Sequence, residues 1–156
     1  MVRTMMVLIG IVLVFAIGGG ILYMNNQITP KTYTSEFMKM GFDYPSTYNV
    51  TTKQTTGEIF DKVRRTVKFK FGTYGTNYLT ANDHVKNLMT LNNIQEYKVQ
   101  EVQSPYSAVV LESIADNKTE KSYFFVKDYA VYYFSADDPA LFSDLDSIAK
   151  SFRILQ

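Results

Sequence analysis

Few side chains in this chain of 156 residues can do chemistry. His84 is the only histidine, and there is no cysteine. Zinc and copper centres draw on several imidazole or thiolate ligands, so such a site is out of reach. Asp83 precedes His84 directly. On a helix adjacent residues diverge, so the pair does not form the oriented base of a Ser-His-Asp triad. No Gly-x-Ser-x-Gly elbow occurs. A surface histidine is the expectation. Gly72–Asn77 (GTYGTN) has two glycines but lacks the Lys-Ser/Thr of a phosphate loop, and reads as a turn. The carboxylates of Ala136–Pro139 (ADDP) and Asp144–Asp146 (DLD) do not follow calcium-loop spacing. They read as helix capping and a solvated face. No catalytic, cofactor-binding or metal-binding residue is expected, and the chain does not read as an enzyme.

What remains is electrostatic. Lys62 to Lys70 packs five positive charges into nine residues. Within it Val67, Phe69 and Phe71 alternate with Lys68 and Lys70, as along a half-buried strand. Arg64, Lys68 and Lys70 are the expected contact face, suited to anionic lipid or an acidic partner. The plainer alternative is the solvated side of an amphipathic strand.

The elements that would position these groups follow from periodicity. Strands are expected over Phe37–Pro45, Tyr48–Thr56 (ended by Gly57) and Arg65–Tyr74. A helix follows in TANDHVKNLMTLN, with Thr80 as N-cap, Asp83 three residues on, and Val85, Leu88 and Met89 as its apolar stripe. Four more strands are expected over Tyr97–Gln103, Ser107–Ala115, Lys121–Asp128 and Tyr129–Ala136. A closing helix is capped by Asp137 or Asp138, with Pro139 near its first position. Its apolar face is Leu141, Phe142, Leu145, Ile148, Ala149 and Phe152. The final SFRIL can add a terminal strand. Short links between the late strands imply an antiparallel sheet, and helices to cover it make the class α+β.

Ahead of these elements lies a different kind of segment. Met5 to Met24 carries no charge over about 20 residues, roughly 30 Å as a helix, the thickness of a bilayer core. A cleaved signal peptide is the rival, with Ala16–Gly20 (AIGGG) as its cleavage region. The apolar run continues past that point, which favours a retained transmembrane signal-anchor. Arg3 precedes the helix, so residues 1–4 are expected in the cytoplasm. Residues 25–36 read as a polar linker, and 37–156 as one domain outside the cytoplasm. The expected localisation is a cell membrane, single-pass, with the lipid bilayer as one partner and a membrane protein as another.

Composition narrows the classes. The chain is 46% hydrophobic and 20% charged, enough apolar content for an ordinary core. Beyond Arg3, 15 basic residues face 15 acidic ones, so a broad nucleic-acid footprint is excluded. With 12 Tyr and 11 Phe, a sheet-rich core is favoured.

Phe42–Val50 (FDYPSTYNV), a late strand holding Tyr132–Phe134 (YYF), and a helix ending Ile148–Leu155 (IAKSFRIL) together resemble the PsbP-like family. The likeness spans roughly Phe37 to Leu155. It implies an antiparallel sheet sandwiched by helices, and a non-catalytic role in assembling or stabilising a membrane complex. This chain departs from the photosynthetic members by having an apolar helix where they carry a soluble extension. It also largely lacks the ligands of metal sites reported in the family. The function implied is a membrane-anchored interaction or assembly module. The alternative is a small-ligand carrier with a pocket between sheet and helix.

Overall fold

The computed structural model describes residues 29–103, 106–115 and 118–156. The apolar segment Met5–Met24 lies outside them. Among the described residues no helix is long and apolar enough to cross a membrane.

Two antiparallel sheets build the domain. The smaller has three strands in the order β1-β2-β10: β1 Pro30–Ser35, β2 Met40–Pro45 and β10 Arg153–Ile154. The larger has seven, in the order β3-β4-β5-β9-β8-β7-β6. These are β3 Tyr48–Lys53, β4 Thr56–Asp61, β5 Val67–Gly75, β6 Glu96–Gln103, β7 Ser107–Ala115, β8 Lys118–Lys127 and β9 Ala130–Ala136. Helix α1 (Ala81–Leu91) packs on β7 and β8 at one face. Helix α2 (Phe142–Lys150) packs against β9 and β2 at the other, beside the small sheet. The expected α+β class holds, with the second face covered by a small sheet as well as a helix.

Alternation explains the two cores. On the α2 side, Phe69, Phe71, Phe134 and Phe125 project from neighbouring strands and meet Phe42, Leu145, Ile148 and Phe152. On the α1 side, Val109, Leu111, Phe124 and Val131 meet Ala81 and Val85. Helix α1 begins where its capping residue places it, whereas the acidic cap expected for the closing helix starts a 3-10 turn and α2 itself begins at Phe142 without a side-chain cap. The Asp83 N–H donates to Thr80 Oγ1 at 3.1 Å, and that hydroxyl donates to Asp83 Oδ2 at 2.8 Å. Asp138 accepts from the Ala140 N–H at 3.0 Å and starts a 3-10 turn over Pro139–Leu141, which leads into α2. The β8–β9 turn puts Asp128 and Tyr129 at φ of 50° and 61°, the left-handed pair that a two-residue hairpin requires.

Several boundaries differ from the sequence expectation; β8, for one, begins at Lys118 rather than Lys121, and β5 at Val67 rather than Arg65. The linker assigned to residues 25–36 holds β1, whose six residues pair with β2 from Pro30↔Pro45 to Ser35↔Met40. Its residues are largely exposed, so no hydrophobic period marks it. The strand expected from Phe37 begins at Met40, because Lys39 takes a φ of 53° in the β1–β2 turn and breaks the alternation there. Gly57 does not end a strand. It lies inside β4, an extra hairpin strand turned at Gln54 (φ 54°). A Cβ at Gly57 would sit 2.2 Å from Phe71 Cζ, so the bare backbone leaves room for that ring.

Candidate functional site

On the α1 face the helix covers only part of the sheet. Beside it a hollow of about 430 Å³ opens over the floor formed by Leu111, Phe124 and Tyr133. Leu88, Asn92 and Ile94 form the helix-side wall, and Ser122, Ser135 and Glu120 supply polar groups. A second hollow of about 390 Å³ shares Thr56 and Tyr133 with it and is bordered by Lys70 and Glu58. The strand period aims these residues: Lys70, Ser135 and Ser122 are register partners across β5, β9 and β8, so all three face α1.

His84 lies on the same face, buried at 7% exposure, which corrects the expectation of a surface histidine. Its Nε2 is 2.8 Å from Tyr74 Oη and its Nδ1 3.2 Å from Thr76 Oγ1. Its ring lies 5.8 Å from that of Phe124. Burial pushes the imidazole below its ordinary value and favours the neutral form. The same cause raises the Tyr74 and Tyr133 hydroxyls. Both ring nitrogens are thus engaged with hydroxyl groups. The arrangement fastens α1 to the end of β5 and holds no aligned nucleophile–base–carboxylate set. The helical spacing that put Val85 and Leu88 inward also turned His84 inward, since it precedes Val85 and follows Ala81 by three.

The acidic pair of α2 is likewise not a solvated face. Asp144 accepts from Tyr48 Oη at 3.0 Å. Asp146 accepts from Tyr123 Oη at 2.8 Å and pairs with Lys121 at 2.7 Å. These carboxylates tie α2 to β3 and β8. Burial, then the bond to Asp144, pushes the Tyr48 hydroxyl up to about 12. Tyr123 is raised further by burial and Asp146. Among the described residues no group of three or more His, Asp or Glu side chains is placed to hold a metal ion.

The three basic residues singled out in sequence do not act as one strand face. A bulge in the β4–β5 ladder pairs Ile59 with Phe69 but Phe60 with Val67, leaving Lys68 as the extra residue. Val67 is therefore 44% exposed, although Phe69 and Phe71 are buried as expected. Lys68 and Lys70 border a hollow of about 260 Å³ that Glu120 and Asp137 also line. Lys70 stands opposite Glu58, which dilutes its charge. Arg64 lies apart, in the loop between β4 and β5, beside Lys62 and Arg65.

At the far edge of the large sheet lies a surface that neither charge nor motif marks. Among the described residues strand β6 pairs only with β7, and all its residues except Val102 are exposed. Tyr97 (50% exposed) and Val99 alternate on the α1 side. The sequence shows this strand plainly; its place at the edge depends on sheet order, which periodicity does not encode.

Layer order and strand connectivity define the PsbP-like fold. Two solved structures share it. A cyanobacterial PsbP from Synechocystis matches with a TM-score of 0.57 at 14% identity, over 81% of this chain and 93% of that one. A protein from Bacteroides thetaiotaomicron matches with a TM-score of 0.55 at 10% identity, over 81% of this chain and 48% of that one. No protein-family model matches the chain, and no curated protein matches it in sequence.

Proposed function

We propose that the domain is a non-catalytic assembly module, held at the outer surface of a cell membrane by Met5–Met24, which engages a protein partner along β6. The observation that carries this is the edge itself. Among the described residues, the eight of Glu96–Gln103 have no strand neighbour on one side of their backbone, and no proline interrupts them. Such an edge is a template for a partner strand: its N–H and C=O groups give affinity, and alternate side chains give selectivity. The likeness to a cyanobacterial PsbP agrees with an assembly role. The apolar run from Met5 to Met24 supports the tether. In the native membrane, a photocrosslinker at Tyr97 or Val99 should capture one discrete protein, whereas one at Lys53, on the opposite edge strand β3, should not. Equal capture from both edges, or none from β6, overturns this function.

A second reading, a small-molecule carrier, is favoured by the hollow of about 430 Å³ with its apolar floor and polar rim. It would show as a small molecule retained by the purified protein in native mass spectrometry, lost when Tyr133→Ala opens the floor.

A further inference from the structure

The chain enters the domain at Pro30, which pairs with Pro45. The turn after Pro45 is held against the β4–β5 loop: the Lys62 N–H donates to Thr47 O at 3.2 Å, and Lys62 Nζ donates to Ser46 O. That loop is a built structure. Asp61 Oδ1 accepts from the Val63 and Arg64 N–H groups, both at 2.8 Å, and the Arg65 N–H donates to Asp61 O at 2.8 Å. Arg65 takes a φ of 55° to close it. The result presents Val63 at 91% exposure, with the exposed Lys62, Arg64 and Arg65 beside it in the loop. Lys31, the second residue of β1, is close enough to Lys62 to depress that ammonium below the ordinary lysine range. Of the nearby carboxylates, Asp43 pairs with Arg153 at 3.3 Å, while Asp61, held by the loop's own amides, offsets one of the loop's positive charges.

We infer that this end of the domain docks on an anionic lipid surface, with Lys31, Lys62, Arg64 and Arg65 at the headgroups and Val63 directed into the interface. The inference rests on the proposed tether. Only residues 25–29 separate Met24 from Pro30. Even fully extended they span at most roughly 18 Å, so the Pro30 end stays beside the bilayer. Four cations at the exit point of an apolar segment complement an acidic leaflet, and an exposed valine among them suits the interfacial zone. Of the basic residues proposed from sequence, Arg64 belongs to this surface. Lys70, opposite Glu58, does not.

The chain has no cysteine, so Val63→Cys in the full-length protein takes one environment-sensitive fluorophore. The protein is incorporated into phosphatidylcholine vesicles with and without phosphatidylglycerol, with Tyr97→Cys on β6 as the distant control. The signal from position 63 should shift to an apolar environment only with phosphatidylglycerol, and should return towards the aqueous value at high salt. Position 97 should not respond. Each basic residue near an anionic leaflet multiplies the docked population about fivefold, so Lys31→Glu/Arg64→Glu should lower it a hundredfold or more at low salt. Neither of these side chains holds the loop together, and the salt response of the unaltered surface tests the docking without the variant. A signal at 63 that ignores lipid charge and salt overturns the docking. Carbonate resistance of the same vesicles reports the tether separately. Resistance with an indifferent position 63 leaves the tether and removes the docking; extraction with a lipid-charge-dependent position 63 does the reverse.

Discussion

Phe152 is the most informative side chain to remove. It follows α2 and is 1% exposed. Its ring centroid lies 4.5 Å from Phe125, 5.4 Å from Tyr132, 5.6 Å from Phe134 and 5.7 Å from Tyr106. It thus joins β8, β9 and the segment before β7 to the end of the closing helix. Core Phe→Ala changes cost about 3–5 kcal/mol, the spread reflecting how far the site can collapse. Collapse is hindered here, because the neighbours are rings fixed on paired strands, and each aromatic contact adds about 0.5–1.5 kcal/mol beyond its area. A loss of about 4 kcal/mol is expected for Phe152→Ala. For a domain of this size that lowers the thermal midpoint by roughly 12–20 °C. The assay is a melt of residues 29–156, followed by circular dichroism, with urea unfolding to test for an unchanged m-value. A midpoint shift under about 4 °C, equivalent to about 1 kcal/mol, would refute the assignment of Phe152 to the hub of this core.

Two further substitutions probe features of the same core. Gly57→Ala should destabilise by about 1–3 kcal/mol through overpacking against the Phe71 ring, and pairing it with Phe71→Leu should recover part of that loss in urea melts. Alkaline stability should report the Tyr48–Asp144 and Tyr123–Asp146 ties. The folded Tyr48 hydroxyl is raised from 10.0 to about 12, so its contribution is fully present below pH 10 and is lost as the pH climbs towards 12. Tyr123 moves in the same direction. Tyr48→Phe/Tyr123→Phe should therefore flatten the decline above pH 10, the ordinary tyrosine value, in pH-dependent melts, and an unchanged slope would count against the ties.

Most elements are legible in the sequence because their burial is one-sided. Strand β7 falls on Ser107–Ala115 as the sequence suggests, and Thr80 caps α1 as its spacing with Asp83 requires. What escapes is set by partners distant in sequence. Strand β1 is mostly exposed, and only its ladder with β2 makes it a strand. The bulge at Lys68 arises from β4 pairing, so Val67 loses the inward position its parity suggests. His84 looks solitary and polar. Its burial depends on Tyr74 and Thr76, which β5 delivers to the helix from ten and eight residues away. Asp144 and Asp146 look like a solvated acidic run, yet strands β3 and β8 bring tyrosine hydroxyls to them. The basic cluster is half visible: Arg64 stands within the charged run, but Lys31 reaches it only through the turn that joins Pro45 to Thr47.

Sheet order gives the two proposed surfaces a common logic. Strands β4 and β5 flank the Lys62–Arg65 loop, and β6 forms the far edge of the same seven-stranded sheet. At about 4.8 Å per strand spacing, β6 stands on the order of 19–24 Å across the sheet from the two strands that carry the loop. The free edge is open to a partner strand without displacing the tether. In β6 the neighbouring Tyr97 and Val99 project on one face between Glu96 and Lys98 on the other, with Glu101 further along the Tyr97 face and Val102 on the Lys98 face. Charges on an edge discourage indiscriminate pairing between copies, while the alternating apolar pair rewards a strand of matching register. The two proposed contacts, one with the membrane and one with a partner, thus draw on different residues of one sheet. That is why reversing Lys31 and Arg64 should leave the identity of any partner captured at Tyr97 unchanged.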